Sequence, residues 1–339
     1  MKNNILFILA ILFLTVLAAC QGDNSNASSS EENGGSSEGE YTLRVGITQN
    51  DQNAEFKGIE QFKEGVEERT NGDITVETYH SDQLASIPDL IEQASTGTNV
   101  GTITDAGQIG DIKNEFYILQ SPYMFEDYEE IDKFLESDPY HEWVEEFKDN
   151  GLQILSFNFK LGERNLATNT KIETPEDLEG NVIRTNGSQI VNATVSGMGG
   201  SPSGMPWTEA YPGLEQGVID GVEAHNLAIY ESSLYEVIDH IAKTNHYQLV
   251  SGMVVSADWF SNLPEEYQDI LIEEAQLAGD TASEIATEQS QEYEQAMKEE
   301  GVEFIEVDRE KFKERAEDAF SEIGLEDVKA EIDEVLDNE

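Results

Sequence analysis

The stretch YTLRVGITQNDQNAEFKGIEQFKEGVEERTNGDITVETY, residues 41–79, decides the fold class. Residues 41–47 alternate between apolar and polar side chains, as a half-buried strand does, and residues 73–79 repeat that alternation. Between these strands, apolar side chains recur at helical spacing along one face, at Phe56, Ile59, Phe62 and Val66. An Asn-Gly pair then ends the helix. Together these patterns predict a β-α-β unit with two parallel strands.

The rest of the chain continues this alternation, which predicts an α/β architecture. We expect further strands at residues 100–104, 151–160, 182–185, 219–223 and 302–307. We expect helices at residues 87–96, 128–147 with an interruption at Asp138-Pro139, 188–198, 208–217 and 264–300. Thr174 and Pro175 are typical of a helix start. The longest helix is expected to bend near Gly279-Asp280, and two short acidic helices should finish the chain.

The first 40 residues predict export and a membrane tether rather than part of the fold. Residues 1–20 combine an early lysine, an apolar run at 5–19 and a lipobox-like sequence, LAAC, that ends at Cys20. Cys20 is the only cysteine, so no intrachain disulfide can form, and a diacylglyceryl attachment is predicted there. A plain signal peptide or an uncleaved anchor are the alternatives. Residues 21–40 are rich in Ser, Gly, Asn and Glu, which predicts a flexible tether.

The charge of the chain restricts its partners. There are 70 acidic and 19 basic residues, which gives a formal net charge of -51. Nucleic-acid binding is excluded as a first interpretation, because phosphate contacts need lysine and arginine. Adhesion to an anionic membrane surface is disfavoured for the same reason. Since high salt screens such self-repulsion, the composition favours an organism from a salty or alkaline habitat, with the carboxylates on solvated surface.

Few patterns in the sequence indicate catalysis. The five histidines show no metal-binding spacing, and there is no glycine-rich phosphate loop. No pair of carboxylates is singled out by its spacing, so a secreted hydrolase is a weak alternative. We therefore predict no catalytic residue, no metal and no cofactor.

Arginines are scarce in this chain, and two of the six stand alone in its middle. Arg164 lies in LGERNLAT and Arg184 in EDLEGNVIRTNGS. A guanidinium has five donors in a rigid fork that fits a carboxylate, and it keeps its charge at every physiological pH. The two residues are candidates for capturing a small carboxylate. The alternative is an internal salt bridge to one of the many acidic side chains.

A series of motifs from residue 41 to the C-terminus resembles the solute-binding proteins of tripartite ATP-independent periplasmic (TRAP) transporters, the dicarboxylate-binding type. The motifs occur in order and at family-like spacing: FxxxVEERTxG (62–72), QL (83–84), LxxPYxF (119–125), GxR (162–164), TPxDLxGxxIR (174–184), MPWxExYxxLxxGxxDGxE (205–223), YEV (235–237), TxH (244–246) and WxxxLP (259–264). Each motif alone is weak evidence, but the ordered set is specific.

The resemblance implies a two-lobed periplasmic-binding-protein-like α/β fold with a ligand cleft between the lobes and a long bracing helix. Lobe I is expected to comprise residues 41–161 plus about 250–290. Lobe II is expected to comprise residues 162–249 plus about 291–339. The chain would cross between the lobes more than once, and we expect a monomer.

The resemblance also assigns ligand-binding roles. It implies that Arg184 is the main carboxylate clamp, that Arg164 is a second arginine and that Trp207 is an aromatic wall. Many members carry an asparagine directly after the DGxE motif, where this chain has Ala224. Either Asn226 replaces it from a shifted position or the contact is absent.

Residues of the first lobe should add polar contacts. We place these contacts in the loop after the first strand, at Thr48 and Gln49, and in the turn at Thr104 and Asp105. His246, in the TxH motif, is predicted to be a hydrogen-bonded structural residue.

The function implied by the resemblance is an extracytoplasmic solute-binding lipoprotein, anchored through lipid on Cys20 to the outer face of the cell membrane. It would deliver a small organic acid, by default a C4-dicarboxylate, to TRAP membrane permease subunits. A sugar acid, a 2-oxo acid or a zwitterion such as ectoine are alternative ligands. A binding lipoprotein of an ATP-driven importer is the alternative function.

Overall fold

The computed structural model describes residues 39–337. The predicted signal peptide, its lipidation site Cys20 and residues 21–38 of the predicted tether lie outside the described residues. Within the described part, no helix is both long enough and apolar enough to cross a bilayer.

The described residues contain eleven strands in two sheets. The strands are β1 (Tyr41–Gly46), β2 (Ile74–Tyr79), β3 (Val100–Asp105), β4 (Leu152–Glu163), β5 (Asn165–Thr168), β6 (Val182–Thr185), β7 (Ser201–Gly204), β8 (Gly221–Ala224), β9 (His240–Ala242), β10 (Gln248–Ser256) and β11 (Glu303–Ile305). The first sheet has the order β2-β1-β3-β10-β4, and the second has the order β11-β9-β5-β8-β6-β7. Each sheet forms the centre of one lobe, which confirms the two-lobed α/β class.

Fourteen α-helices surround these sheets in residues 39–337. They are α1 (Ala54–Arg69), α2 (Ile87–Ser95), α3 (Ala106–Ile109), α4 (Tyr128–Leu135), α5 (Asp138–Asp149), α6 (Pro175–Leu178), α7 (Gln189–Met198), α8 (Ala210–Glu215), α9 (Asn226–Glu231), α10 (Ala257–Ser261), α11 (Glu265–Glu299), α12 (Arg309–Ala316), α13 (Asp318–Glu322) and α14 (Glu326–Asp337). Short 3-10 helices lie at Asn114–Gln120, Trp207–Glu209 and Leu234–Glu236.

The opening β-α-β unit forms as predicted. β1 pairs in parallel with β2 over its whole length, from Tyr41 opposite Ile74 to Gly46 opposite Tyr79. α1 begins after Asn53, whose side chain accepts a hydrogen bond from the backbone N–H of Glu55. This cap satisfies one of the free N–H groups at the helix start. The apolar face of α1 packs into the core of the first lobe.

Strand β10, an internal strand of the first sheet, was not predicted. It runs antiparallel between β3 and β4, and all nine of its residues are buried. Its sequence, QLVSGMVVS, is a short apolar run without strict alternation, since both faces of the strand are covered. Such a run does not separate a buried strand from a buried helix by periodicity alone. Strands β5, β7 and β9 were also missed, and each has at most four residues.

The chain passes between the sheets three times, and the first two passages are neighbours. Only Arg164 separates β4 of the first sheet from β5 of the second. The return passage lies beside it, because the Arg164 N–H donates to the Tyr247 carbonyl and the His246 N–H donates to the Arg164 carbonyl. The hydroxyl of Tyr128 links the same region, since it donates to the Leu249 carbonyl and accepts from the Gly162 N–H. Arg164 therefore lies where the first two passages meet, whereas the third runs through α11 to β11.

Helix α11 is the predicted brace. It runs without interruption for 35 residues and packs on α1 and β4 of the first lobe and on α9 of the second. Gly279, where we expected a bend, lies inside this helix, and a Cβ there would come within 2.1 Å of the Asn158 side chain. The glycine therefore permits a close approach to β4.

Several predicted element limits were wrong. The helix expected at 208–217 begins as the 3-10 turn Trp207–Glu209 and becomes α8 only at Ala210. The strand expected at 219–223 is Gly221–Ala224. Three helices, rather than two, finish the described chain, and α14 packs on α4.

Candidate functional site

A cavity of about 470 Å³ is lined by residues from both lobes. Thr48, Gln49, Thr104 and Asp105 contribute from the first lobe, and Arg184 and Trp207 contribute from the second. Arg164 lines it at the passage between the lobes. All of the predicted ligand residues except Asn226 are thus brought together, although they are far apart in the chain.

Arg184 is held against one wall by the backbone. Its Nε and Nη2 atoms both donate to the Met205 carbonyl, at 3.0 and 2.8 Å. The side chain points from β6 to the loop after β7, because these parallel strands place Arg184 opposite Ser203. These two bonds orient the guanidinium and leave Nη1 without a partner among the described residues.

Arg184 is a buried cation with no partner of opposite charge. The residue is 5% exposed, and no carboxylate in residues 39–337 forms an ion pair with it. Burial lowers the pKa of its guanidinium to about 10, with Arg164 adding repulsion and Glu223 and Asp105 partly opposing it. It stays charged at neutral pH. A buried charge is costly unless it is paired, so this wall of the cavity favours an anion.

Trp207 stacks on this guanidinium. The centroid of its ring lies 5.0 Å from the guanidinium carbon of Arg184, within the range of a cation–π contact. The indole Nε1 donates to the hydroxyl of Ser232 at 2.8 Å, which fixes the ring plane. Trp207 thereby limits the directions in which the guanidinium can move, and it presents an apolar surface to the cavity.

Arg164 differs from Arg184, because its charge is already paired. Its Nε and Nη2 donate to the two carboxylate oxygens of Glu223 at 2.8 and 2.6 Å, and Nη2 also reaches the Glu223 carbonyl. Glu223 is fully buried. The internal salt bridge considered as the alternative for these arginines therefore exists at Arg164, while its guanidinium still borders the cavity.

The pairing decides the charge state of both groups. Burial alone would raise the pKa of Glu223, but Arg164 outweighs it and the pKa falls to about 2. Burial would likewise lower the pKa of Arg164, but Glu223 holds it above its ordinary value. His246 lies behind this pair, fully buried, with its Nδ1 2.9 Å from the Thr244 hydroxyl. The hydrogen bond predicted for His246 is therefore present, and its structural role stays a prediction.

His225, rather than Asn226, lines the cavity. His225 follows the last residue of β8 and caps α9, where its Nδ1 accepts the Ala228 N–H at 3.2 Å. Burial lowers the pKa of His225 to about 3, so the ring is neutral and its proton is on Nε2. Asn226, the first residue of α9, is not among the lining residues. The sequence signal for His225 was its place directly after Ala224.

The first-lobe wall carries hydrogen-bond acceptors. The Thr48 hydroxyl donates to Asp82 at 2.7 Å, and Asp82 also lines the cavity. The Gln49 Oε1 atom is buried without a partner. Asp105 caps α3 by accepting the Gln108 N–H at 3.1 Å, and burial raises the pKa of its carboxyl. Thr104 precedes it at the end of β3 and is buried.

Glu55 is the acidic residue that sequence reasoning missed. It lies in the first turn of α1, lines the cavity and is 5% exposed. Burial, with smaller contributions from Asp105 and Glu231, raises the pKa of its carboxyl to about 8, although the Ser251 hydroxyl opposes the shift. Glu55 is therefore protonated at neutral pH. In the sequence it was one acidic residue among 70.

No group of three or more His, Cys, Asp or Glu side chains suited to a metal ion occurs in the described part of the chain.

Comparison with known proteins gives a consistent result. The model of bacterial extracellular solute-binding protein family 7, DctP, matches residues 45–327. A C4-dicarboxylate-binding periplasmic protein of Rhodobacter capsulatus is 28% identical over 72% of this chain and 74% of its own. A TRAP periplasmic solute-binding protein of Escherichia fergusonii, solved in an apo open form, is 35% identical with a TM-score of 0.79 and covers 87% of this chain and 99% of its own.

A second solved structure carries a ligand. The TRAP periplasmic solute-binding protein of Ochrobacterium anthropi, with bound L-fuconate, is 32% identical with a TM-score of 0.83, and the match covers 88% of this chain and 99% of that one. The matched family consists of substrate-binding components of transport and not of enzymes. The chain therefore belongs to bacterial extracellular solute-binding protein family 7, the DctP family of TRAP solute-binding proteins for small organic acids.

Proposed function

We propose that this protein captures one small organic carboxylate on Arg184 and delivers it to the membrane permease of a TRAP-type secondary transporter. The observation that carries the proposal is the charge state of Arg184, which is buried, oriented by Met205 and unpaired. A carboxylate that bound there would supply the missing opposite charge. Its hydrogen bonds to a guanidinium would be charge-assisted and among the stronger ones in proteins.

Arg164 has a supporting role in this proposal. Two of its three nitrogens bind Glu223, so it adds little net charge to the cavity. Its position at the first two passages of the chain between the lobes would let it sense the closure of the lobes around a ligand. Trp207 and the neutral His225 would border the same carboxylate, the first through an apolar face and the second through its Nε2–H group.

Delivery and tethering follow from the family and from the N-terminus. A TRAP solute-binding protein delivers its ligand to a membrane permease, which is the proposed partner here. Lipid on Cys20 would keep the protein at the outer face of the membrane. A C4-dicarboxylate was the default ligand from the sequence. One relative is named for C4-dicarboxylate binding and one similar structure holds L-fuconate, a sugar acid, so both classes belong in a test.

The test is a thermal-shift screen, followed by calorimetry, of the protein from residue 39 onward, since residues 39–337 belong to one compact unit. The panel contains dicarboxylates, sugar acids, 2-oxo acids and ectoine. A ligand at about 100 times its dissociation constant adds about 2.7 kcal/mol of stability. Arg184→Ala should abolish the shift, whereas Arg315→Ala, which removes a half-exposed arginine on α12, should keep it. A panel that produces no shift would refute the proposed carboxylate site.

A further inference from the structure

The cavity is electrostatically asymmetric. Its second-lobe wall has Arg184, an unpaired cation, whereas its first-lobe wall has Glu55, Asp82 and Asp105. Arg164 is hydrogen-bonded to Glu223, and although its charge acts on Asp105, burial still raises the pKa of that carboxyl. A ligand that fills the cavity therefore meets a cation at one end and carboxyl groups at the other.

Glu55 and Asp105 form one continuous part of the first-lobe wall, which we call the acidic wall. Asp105 ends β3 and lies opposite Ser251 of the neighbouring strand β10. Ser251 in turn contacts the carboxyl of Glu55, which enters from the first turn of α1. Three separate elements thus bring these groups together at the cavity surface. The described residues provide no lysine or arginine hydrogen bond to either carboxyl.

We infer that the acidic wall selects ligands with a single carboxylate, which binds Arg184, and with hydrogen-bond donors such as hydroxyl groups at the opposite end. This inference rests on the proposed function and adds the ligand class. A second carboxylate at the acidic wall would lose its hydration beside the carboxyl of Asp105 and the acceptor oxygens of Glu55. Specificity of this kind arises from repulsion of the wrong ligand as much as from attraction of the right one.

The protonation of Glu55 suits such a ligand. At neutral pH its carboxyl keeps a proton, so it can donate one hydrogen bond and accept others. A hydroxyl group can take part in both kinds of bond. Gln49 contributes less to the selection, because its amide can present either a donor or an acceptor. The selection therefore depends on the carboxyl groups of Glu55 and Asp105.

Matched ligand pairs test the inference directly. Galactonate and galactarate differ only in whether the far end is a hydroxymethyl or a carboxylate group, and erythronate and meso-tartrate form the corresponding shorter pair. Calorimetric titration at pH 7.5 should show that the better-bound monocarboxylate has at least about 100-fold higher affinity than its dicarboxylate partner. Like-charge contacts cost several kcal/mol, and each 1.4 kcal/mol is a tenfold change in affinity.

Variants then assign the selection to the acidic wall. The double variant Glu55→Gln and Asp105→Asn keeps the shape of both side chains, and asparagine remains a good helix cap. It should reduce the preference for the monocarboxylate at least about tenfold, mainly through tighter binding of the dicarboxylate. Glu64→Gln is the matched control, since it removes one formal charge from an exposed position of the same helix and should leave the preference unchanged.

The outcomes separate this inference from the proposed function. Tighter binding of galactarate, meso-tartrate or succinate than of any hydroxy acid, lost in Arg184→Ala, would overturn the inference and keep the proposed function. An unchanged preference in the double variant, or binding of pyruvate alone, would likewise overturn the inference and keep the proposed function. If no carboxylate binds, both fail.

Discussion

Arg164 and Glu223, which are 59 residues apart, form a two-point hydrogen-bonded ion pair with distances of 2.8 and 2.6 Å. Arg184, the other arginine of the cavity, has only a backbone carbonyl as its partner. The two arginines that looked equivalent in the sequence therefore differ in what they can offer. Arg164 joins the first two passages between the lobes, and Arg184 has a charge available for a ligand.

Replacing Arg184 by lysine should weaken ligand binding although the charge is kept. A lysine ammonium cannot form the planar fork or stack on Trp207 as the guanidinium does. We expect a loss of about 1.4 kcal/mol or more, which is tenfold in the dissociation constant measured by calorimetry. If the Arg184→Lys variant bound the ligand as tightly as the wild type, charge alone, and not geometry, would hold the carboxylate.

Replacing Glu223 by leucine should destabilise the fold strongly. It leaves the Arg164 guanidinium buried without its partner, which costs about 3–5 kcal/mol in comparable pairs. The double variant Arg164→Met and Glu223→Leu should recover most of this loss, because it removes both charges together. Urea unfolding of the wild type, both single variants and the double variant measures the coupling. Additive losses in the double variant would contradict the pairing.

Glu55 should make the stability depend on pH. The pKa of Glu55 is raised from 4.5 to about 8 in the folded protein, so the folded state binds this proton more tightly than the unfolded chain does. Its contribution to stability is complete below about pH 4.5 and is lost as the pH rises through about 8. The groups that face it are Asp105 on β3, Ser251 on β10 and Glu231 on α9.

Glu55→Gln removes this titration. Relative to the wild type, the variant should gain on the order of 2–4 kcal/mol in unfolding free energy between pH 5 and pH 9, because only the wild type must bury a carboxylate at high pH. Urea unfolding at the two pH values gives the difference, and Glu64→Gln serves as the control on the same helix. A difference that does not change with pH would mean that Glu55 is ionised throughout.

Gly58→Ala tests the close contact between α1 and the bracing helix α11. A Cβ at position 58 would come within 2.7 Å of the Ala278 carbonyl and 3.2 Å of the Ala282 Cβ. We expect a destabilisation of about 1–3 kcal/mol from overpacking, which exceeds the gain of about 1 kcal/mol from the helix propensity of alanine. Thermal unfolding measures it.

Gly65→Ala is the matched comparison for Gly58→Ala. It lies on the same helix, but its Cβ would meet the carboxylate end of Glu274 rather than backbone. That side chain can rotate away, although it would weaken its bond to Arg69. We expect a smaller loss than at Gly58. An equal loss in the two variants would indicate that helix separation is not the cause.

Local patterns and the motif resemblance were sufficient for the fold class and for cavity residues in both lobes. Period-two and helical spacing in residues 41–79 predicted the opening β-α-β unit, and a helix begins after Thr174, at Pro175, as predicted. Motif resemblance picked out Arg184, Arg164 and Trp207, all of which line the cavity. Such features are encoded within a few residues of each other, so they can be read without the tertiary structure.

The sequence could not predict the partners across the fold. It did not identify the fully buried strand β10, because a short apolar run has no periodicity that separates strand from helix. It did not distinguish the paired Arg164 from the unpaired Arg184, since the choice of Glu223 among 70 acidic residues depends on contacts 59 residues apart. It also gave Glu55 no special weight, because burial beside Ser251 arises only when α1, β3 and β10 pack together. The sequence alone determined the fold class, the family and the arginines, whereas the tertiary structure decided which charges remain free, since pairing and desolvation depend on distances in space.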